Sequence, residues 1–394
     1  MSAIRQVSGD ERLRTAFTLY PYAFDETPSP AAVEDLRGLL PYHEGNHTLI
    51  AEEDARTLAT AAAFPAWQNL RGVVSPMAGI AWVATHPSAR RQGHSRRLMR
   101  RLHSDMVDKG HRLATLFPFH PSFYDKLGYI CLPQNPTATF TPEGLAPLLD
   151  VRLPGEVRWQ NIKDGFDTYR AFQRSLLPRW HGFTYTPDYR AARVLDAANR
   201  WLVTATVGDT VVGTMTYRID GYGGALIVDE LLCADAIGRA LLLRFLALHA
   251  HQVTRITVTV APDDFPETWV SGLAVRTDTE TAFPTAPPLM ARLLSMEALH
   301  GAHCGPGRVA IEVVDDQLLA GRYLLDGSGG TLKVSASGTG ERATLTAAGL
   351  SGLAYGVLDP LDVVARGLGE ITDAAAAELR SLLPRRVPRS FGKG

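Results

Sequence analysis

The chain has 394 residues, with 40 Lys plus Arg against 41 Asp plus Glu and a formal net charge of −1. At 45% hydrophobic and 21% charged residues it has the composition of a folded globular chain, long enough for two or three domains. The charge balance argues against a dedicated nucleic-acid binder or a polybasic membrane protein.

Cys131, Cys233 and Cys304 lie far apart with no CxxC pair, so neither a disulfide framework nor a zinc site is expected, and no metal is called for. Charges at Arg5, Asp10, Glu11, Arg12 and Arg14 interrupt any signal-peptide core, and no apolar run reaches the roughly 18 residues of a membrane span. A cytoplasmic protein is expected.

In chain order, residues 1–136 give a helical pattern, then apolar strand runs at Thr57–Phe64 and Ala78–Ala84, an Arg-rich helix and a strand at 113–117. The Pro/Thr-rich segment 132–147 reads as a crossing between domains. Residues 137–285 carry strands at 200–207, 211–218 and 224–232, with Gly208-Asp209 as a turn, then an apolar helix from Ala236. This order repeats that of the first block, which predicts an internal duplication. Residues 286–394 open with a helical stretch over 290–299, continue with strands at 308–313, 321–325 and 331–335, and close with an Ala-rich helix over 372–383. Strands alternating with helices throughout predict an α+β fold in α/β layers.

The segment 80–106, IAWVATHPSARRQGHSRRLMRRLHSDM, carries the chemistry. A short strand runs into a turn, and Leu98, Leu102 and Met106 recur at helical spacing on one buried face. Gly93 lets a ligand approach the backbone closely. The amides after it open a helix N-terminus that favours an anion, and Arg90, Arg91, Arg96 and Arg97 add charge suited to phosphates. The G-x-G-x-x-G fingerprint is absent and no Walker lysine follows a glycine loop, so NAD and ATP are poor candidates.

The run 83–99, with R-x-x-G-x-S at Arg90–Ser95, resembles the acetyl-CoA motif of the GNAT superfamily of N-acetyltransferases. Downstream, Phe123-Tyr124-Asp125-Lys126-Leu127-Gly128-Tyr129 resembles that superfamily's F-Y-x-x-x-G-[YF] signature at its usual separation. The segment Val74–Ile80, the pair Arg322-Tyr323 and Leu353–Gly356 are similar to the Eis-type acetyltransferases. That resemblance implies tandem GNAT folds, the second degenerate, and a sterol-carrier-protein-like C-terminal domain. Domain bounds of 1–136, 137–285 and 286–394 follow. The degenerate copy has Cys233-Ala234-Asp235-Ala236-Ile237-Gly238 where R-x-x-G would stand, and Asp235 has the wrong charge for a pyrophosphate.

The resemblance further implies acetyl-CoA, or another acyl-CoA, as co-substrate. Backbone groups of Val83, Ala84 and Thr85 would hold the thioester carbonyl and pantetheine arm. Arg90, Arg91, Gln92, Gly93, His94, Ser95 and Arg96 would cradle the pyrophosphate, with Phe119 and His120 beside the pantetheine. Tyr124, protonated at neutral pH, is the candidate acid for the departing thiolate. The candidate base is the terminal carboxylate of Gly394, carried by a tail that reaches the active site, with His86 as rival. Phe24, Asp25 and Glu26 would wall an acidic pocket for a small amine, and Trp67 and Trp82 fit either that pocket or the core. The resemblance implies a homo-oligomer built as a ring-based hexamer. An acyl-CoA or lipid-binding protein without catalysis, or a transferase of longer acyl groups, stands as the alternative.

Overall fold

The computed structural model describes residues 2–24, 36–196, 200–336 and 342–391. They form two compact units: Met1–Leu132 with Tyr189–Ala191 and Phe283–Arg386, and Pro133–Asp188 with Ala192–Ala282 and Val387–Gly394. Strands are numbered in chain order.

The first unit holds a sheet of β1 (Ala3–Val7), β2 (His47–Glu53), β3 (Arg56–Leu70), β4 (Val73–Thr85), β5 (Leu113–Leu116) and β6 (Ile130–Cys131), joined by β15 (Met290–Leu293). Its order is β1-β2-β3-β4-β5-β15-β6. β3 and β4 make a long hairpin whose two turn residues, Arg71 and Gly72, both have positive φ (50° and 92°), the geometry that matches strand twist. β4 and β5 are parallel, which requires a crossover, and the helix His94–Asp108 supplies it. That helix buries Leu98, Met99, Leu102 and Met106 and ends at Gly110 (φ 84°), whose amide bonds the carbonyl of Val107.

A second sheet in this unit has the order β18-β17-β16-β19-β20, from β16 (Arg308–Val314), β17 (Gly321–Asp326), β18 (Lys333–Ala336), β19 (Arg342–Thr346) and β20 (Gly369–Glu370). The helix Ala347–Ala354 is buried along its whole length. The hairpin tip reaches its C-terminal end, where the buried Arg71 guanidinium donates to the carbonyls of Leu353 (3.1 Å), Ala354 (2.6 Å) and Pro384 (2.8 Å). Leu353 and Ala354 close the last turn of that helix, where carbonyls run out of intrahelical donors.

The expected helix over 290–299 is corrected. Met290–Leu293 is a strand between β5 and β6, and only Met296–Leu299 turns, as a 3₁₀ helix. All four strand residues are buried, so no alternation marks them as β.

The second unit contains β7 (Thr137–Phe140), β8 (Glu156–Asn161), the short β9 (Thr184–Tyr185), β10 (Trp201–Val207), β11 (Thr210–Asp220), β12 (Ala225–Cys233), β13 (Arg255–Thr259) and β14 (Val275–Asp278). Its sheet order is β8-β10-β11-β12-β13-β7-β14. This is the first sheet's order strand for strand. A parallel pair, β12 and β13, is again bridged by a helix, Ala236–Ala247. In each sheet the penultimate strand comes from the linker after the other block. The repeated order is the structural form of the duplication the sequence pattern predicts. Among the described residues no helix is long and apolar enough to cross a membrane.

Candidate active site

The parallel register of β4 with β5 ends at Gly79 opposite Thr115, while β4 continues to Thr85. Trp82 (φ 55°) sits at a bulge where the register against β3 shifts, and a bulge bends a strand away from its partner. Val83, Ala84 and Thr85 therefore lie on a strand end splayed from β5. The Thr85 and Ser95 hydroxyls share a short hydrogen bond that ties this end to the first turn of the helix.

Between them the chain passes Arg91 (φ 63°) and Gly93 (φ 80°), both left-handed, and starts the helix at His94. No side chain caps that N-terminus, so its first amides have no acceptor of their own. A Cβ built on Gly93 would meet nothing within 4 Å. Arg90, Arg91, Gln92 and Arg96 are exposed around this opening, and Arg90 lies over the Tyr22 ring at 5.9 Å. Open amides, a helix N-terminus and exposed guanidinium groups fit a pyrophosphate.

The His94 ring is buried, with Nδ1 accepting from Arg97 (2.9 Å) and Nε2 3.3 Å from Gln92 Oε1, which leaves the His94 backbone as the part that faces the opening. Burial and then Arg97 lower its pKa, so the ring is neutral at pH 7.

The second motif folds as the short helix Pro121–Asp125 followed by a tight turn. Tyr124, 2% exposed, packs edge-on against Phe119, Phe123 and Tyr129 at centroid distances of 5.5, 4.9 and 6.0 Å. Its carbonyl accepts from the amides of Leu127 and Tyr129. Gly128 is required twice over: its φ is 82°, and a Cβ there would stand 2.9 Å from Ala347 Cβ. The Tyr129 hydroxyl pairs with His103 Nε2 at 2.8 Å. The Tyr124 hydroxyl has no protein hydrogen-bond partner among the described residues, and burial raises its pKa above the ordinary 10. Phe119 is 45% exposed, and His120 is exposed at the start of the short helix.

Sequence reasoning missed Arg292. It lies on β15, is 2% exposed, and donates to the carbonyls of Leu127 and Leu293 and to both oxygens of Asp316 (3.1 and 3.0 Å). It thus holds the turn that carries Tyr124. A lone arginine in an otherwise apolar run was the only signal.

On the other side of β4, Trp82 is packed by Phe17 (4.7 Å), His43 (4.4 Å) and Tyr20 (5.9 Å), and Tyr20 touches Phe24 at 5.2 Å. Phe24 is 48% exposed and forms the outer end of this aromatic wall. Trp67 lies elsewhere, on β3 opposite Pro76. Asp25, Glu26 and Gly394 lie outside the described residues. His86 is held: Nδ1 accepts from the Ser88 amide (3.2 Å), and an Arg56 nitrogen stands 3.0 and 3.2 Å from its two ring nitrogens. Burial, then Arg56, lowers its pKa.

Residues 3–131 match the family model described as Acetyltransferase (GNAT) domain. The whole chain is similar in fold to a GCN5-related N-acetyltransferase from Kribbella flavida (22% identity, 98% of this chain and 97% of that chain, TM-score 0.81). It is likewise similar to Eis1 from Mycobacterium abscessus (21%, 100% of both chains, 0.80) and to a GCN5-related N-acetyltransferase from Anabaena variabilis (16%, 98% of both chains, 0.79). At these identities the likeness is one of fold. No curated protein matches the chain. Residues 3–131 therefore form an acetyltransferase domain of the GNAT type, a class that moves acyl groups from acyl-CoA.

Proposed function

We propose that the chain is an acetyl-CoA-dependent N-acyltransferase that moves its acyl group to a primary amine of a small molecule or lysine-like side chain by direct attack. The observation that carries this reading is the juxtaposition of the splayed end of β4 with the uncapped helix N-terminus behind Gly93, tied together through Thr85 and Ser95. It offers amides for a thioester arm at one end and for a pyrophosphate at the other.

In the reaction a C–N bond forms, a C–S bond breaks, and one proton must leave the amine while another reaches sulfur. Amides of Val83–Thr85 polarise the thioester carbonyl. Tyr124 faces the departing sulfur. An unperturbed tyrosine is about 1.5 pKa units above a thiol near 8.5, so full transfer costs about 2 kcal/mol. Burial raises that cost further, which favours Tyr124 as a hydrogen-bond donor that yields its proton only as thiolate charge develops.

The Gly394 carboxylate is the base in this proposal. His86 is the weaker candidate, because Ser88 and Arg56 already engage its ring. Phe24 and the aromatic wall on Trp82 would line the acceptor side, with Asp25 and Glu26 drawing in a cationic amine. The last block as a sterol-carrier-like domain, cytoplasmic location and a hexameric assembly belong to the same proposal and rest on the resemblance to Eis-type proteins. Thiol release from acetyl-CoA and longer thioesters, measured across an amine panel, tests it. Amine-dependent release supports it, whereas tight binding with no turnover on any amine favours an acyl-CoA-binding protein.

A further inference from the structure

The sheet of the second unit repeats the splay of β4 and β5, and the chain's own C-terminal segment walls the resulting cleft. The parallel register of β12 with β13 ends at Val228 opposite Val258, while β12 runs on to Cys233, so the two strands splay as β4 and β5 do. A cavity of about 190 Å³ opens at this splay. The strand end at Cys233, the start of the following helix at Asp235 and Arg239, and the end of β13 at Thr259 with Ala261 just beyond it all line the cavity.

Two features separate this cleft from its counterpart. The helix N-terminus is capped, because Asp235 Oδ1 accepts from the Gly238 amide at 2.8 Å, which places a carboxylate where an anion would sit. Arg389 and Phe391, from the C-terminal segment, also line the cavity, beside Trp180.

That segment is anchored at every residue from Arg389 to Phe391. The Arg389 amide donates to the His181 carbonyl (2.8 Å), and its guanidinium forks onto both oxygens of Asp263 while lying 5.0 Å over Trp180. The Ser390 carbonyl accepts from Asn135 Nδ2, and the Phe391 carbonyl accepts from the Thr184 amide (3.1 Å). The Phe391 ring, 6% exposed, packs with Phe172, Leu176, Phe183 and Leu232. A solvated tail has no reason to bury an aromatic ring and pair three backbone groups with the rest of its unit.

We infer that the splayed cleft in the sheet of the second unit is a receptor for the chain's own C-terminal segment, recognising an Arg-x-Phe motif through Asp263 and the pocket around Phe391. The duplicated cofactor slot thereby becomes a tail anchor, and acyl-CoA is left with one site per chain.

Amide exchange in the full chain tests the anchor without measuring turnover. The Thr184 amide should be protected in the native chain and exchange at least about tenfold faster in Phe391→Ala, with β10–β12 unchanged. Equal exchange at Thr184 in the two proteins overturns the inference. As a second arm, a synthetic peptide of residues 387–394 should bind one-to-one to a chain ending at Arg386. The same peptide with Phe391→Ala should bind at least about tenfold more weakly, and equal binding of the two peptides overturns the inference.

Discussion

Gly93 allows the cofactor site to be separated from the fold that carries it. With φ at 80° an L-residue there costs about 1–2 kcal/mol, but its Cβ meets no protein atom within 4 Å, so no clash is added. For a unit of more than 200 residues that corresponds to a fall in Tm of roughly 2–8 °C. Binding should suffer far more, because the side chain of Gly93→Val projects into the opening where we propose that a pyrophosphate meets the helix amides. Losing two charge-assisted hydrogen bonds at about 1.5–3 kcal/mol each weakens acetyl-CoA at least about 100-fold. Gly110 provides the control: it lies past the other end of the same helix, has φ of 84°, and its Cβ direction is also empty. Calorimetric titration with acetyl-CoA, run beside thermal unfolding, should show similar Tm losses for Gly93→Val and Gly110→Val but weakened binding only for the first. Equal affinity in the two variants refutes the assignment of this loop.

Two further outcomes follow from buried charges in the first unit. Arg71→Met removes the hydrogen bonds to the carbonyls of Leu353, Ala354 and Pro384, and at about 1–3 kcal/mol for each buried acceptor left unpaired, urea unfolding should show a loss of about 2–5 kcal/mol. Arg71→Lys should recover only part of that loss, since an ammonium cannot reproduce the guanidinium fork. Burial, then Arg292, holds the pKa of His103 well below 6.5, so as pH falls the unfolded chain takes up a proton before the folded one. Stability should be full above about pH 6.5 and decline below it, by up to about 1.4 kcal/mol per pH unit from this residue. His103→Gln should lessen the difference between unfolding at pH 7.5 and 5.5, and an unchanged difference contradicts the neutral, buried assignment.

The two motif segments were legible in the sequence because each is local. The buried stripe Leu98, Leu102 and Met106 sets the helix, and Gly93 marks its start. Gly128 marks the turn behind Tyr124. The duplication was legible in the order of elements, though the exchange of penultimate strands was not, since β15 and β7 lie far in sequence from the pairs they complete. Met290–Leu293 was misread because a central strand buried on both faces has no period to distinguish it from a helix. For the same reason Arg292 gave no local sign that its partner is Asp316 or that it holds the Tyr124 turn. The tail sequence Arg389–Gly394 has the composition of solvated chain, and only the pocket formed by Phe172, Leu176 and Phe183 explains why Phe391 is buried.

The most direct test of the proposed chemistry is turnover by Tyr124→Phe, because that change removes one hydroxyl from a side chain whose ring is otherwise fully packed. With an amine that the native enzyme acetylates, kcat should fall by about 10² to 10⁴, the usual size of an acid-catalysis contribution. The Kd for acetyl-CoA should stay within about twofold, since the contacts proposed for the pyrophosphate and pantetheine do not use the Tyr124 hydroxyl. An unchanged kcat for Tyr124→Phe would contradict the assignment of Tyr124 to the departing sulfur.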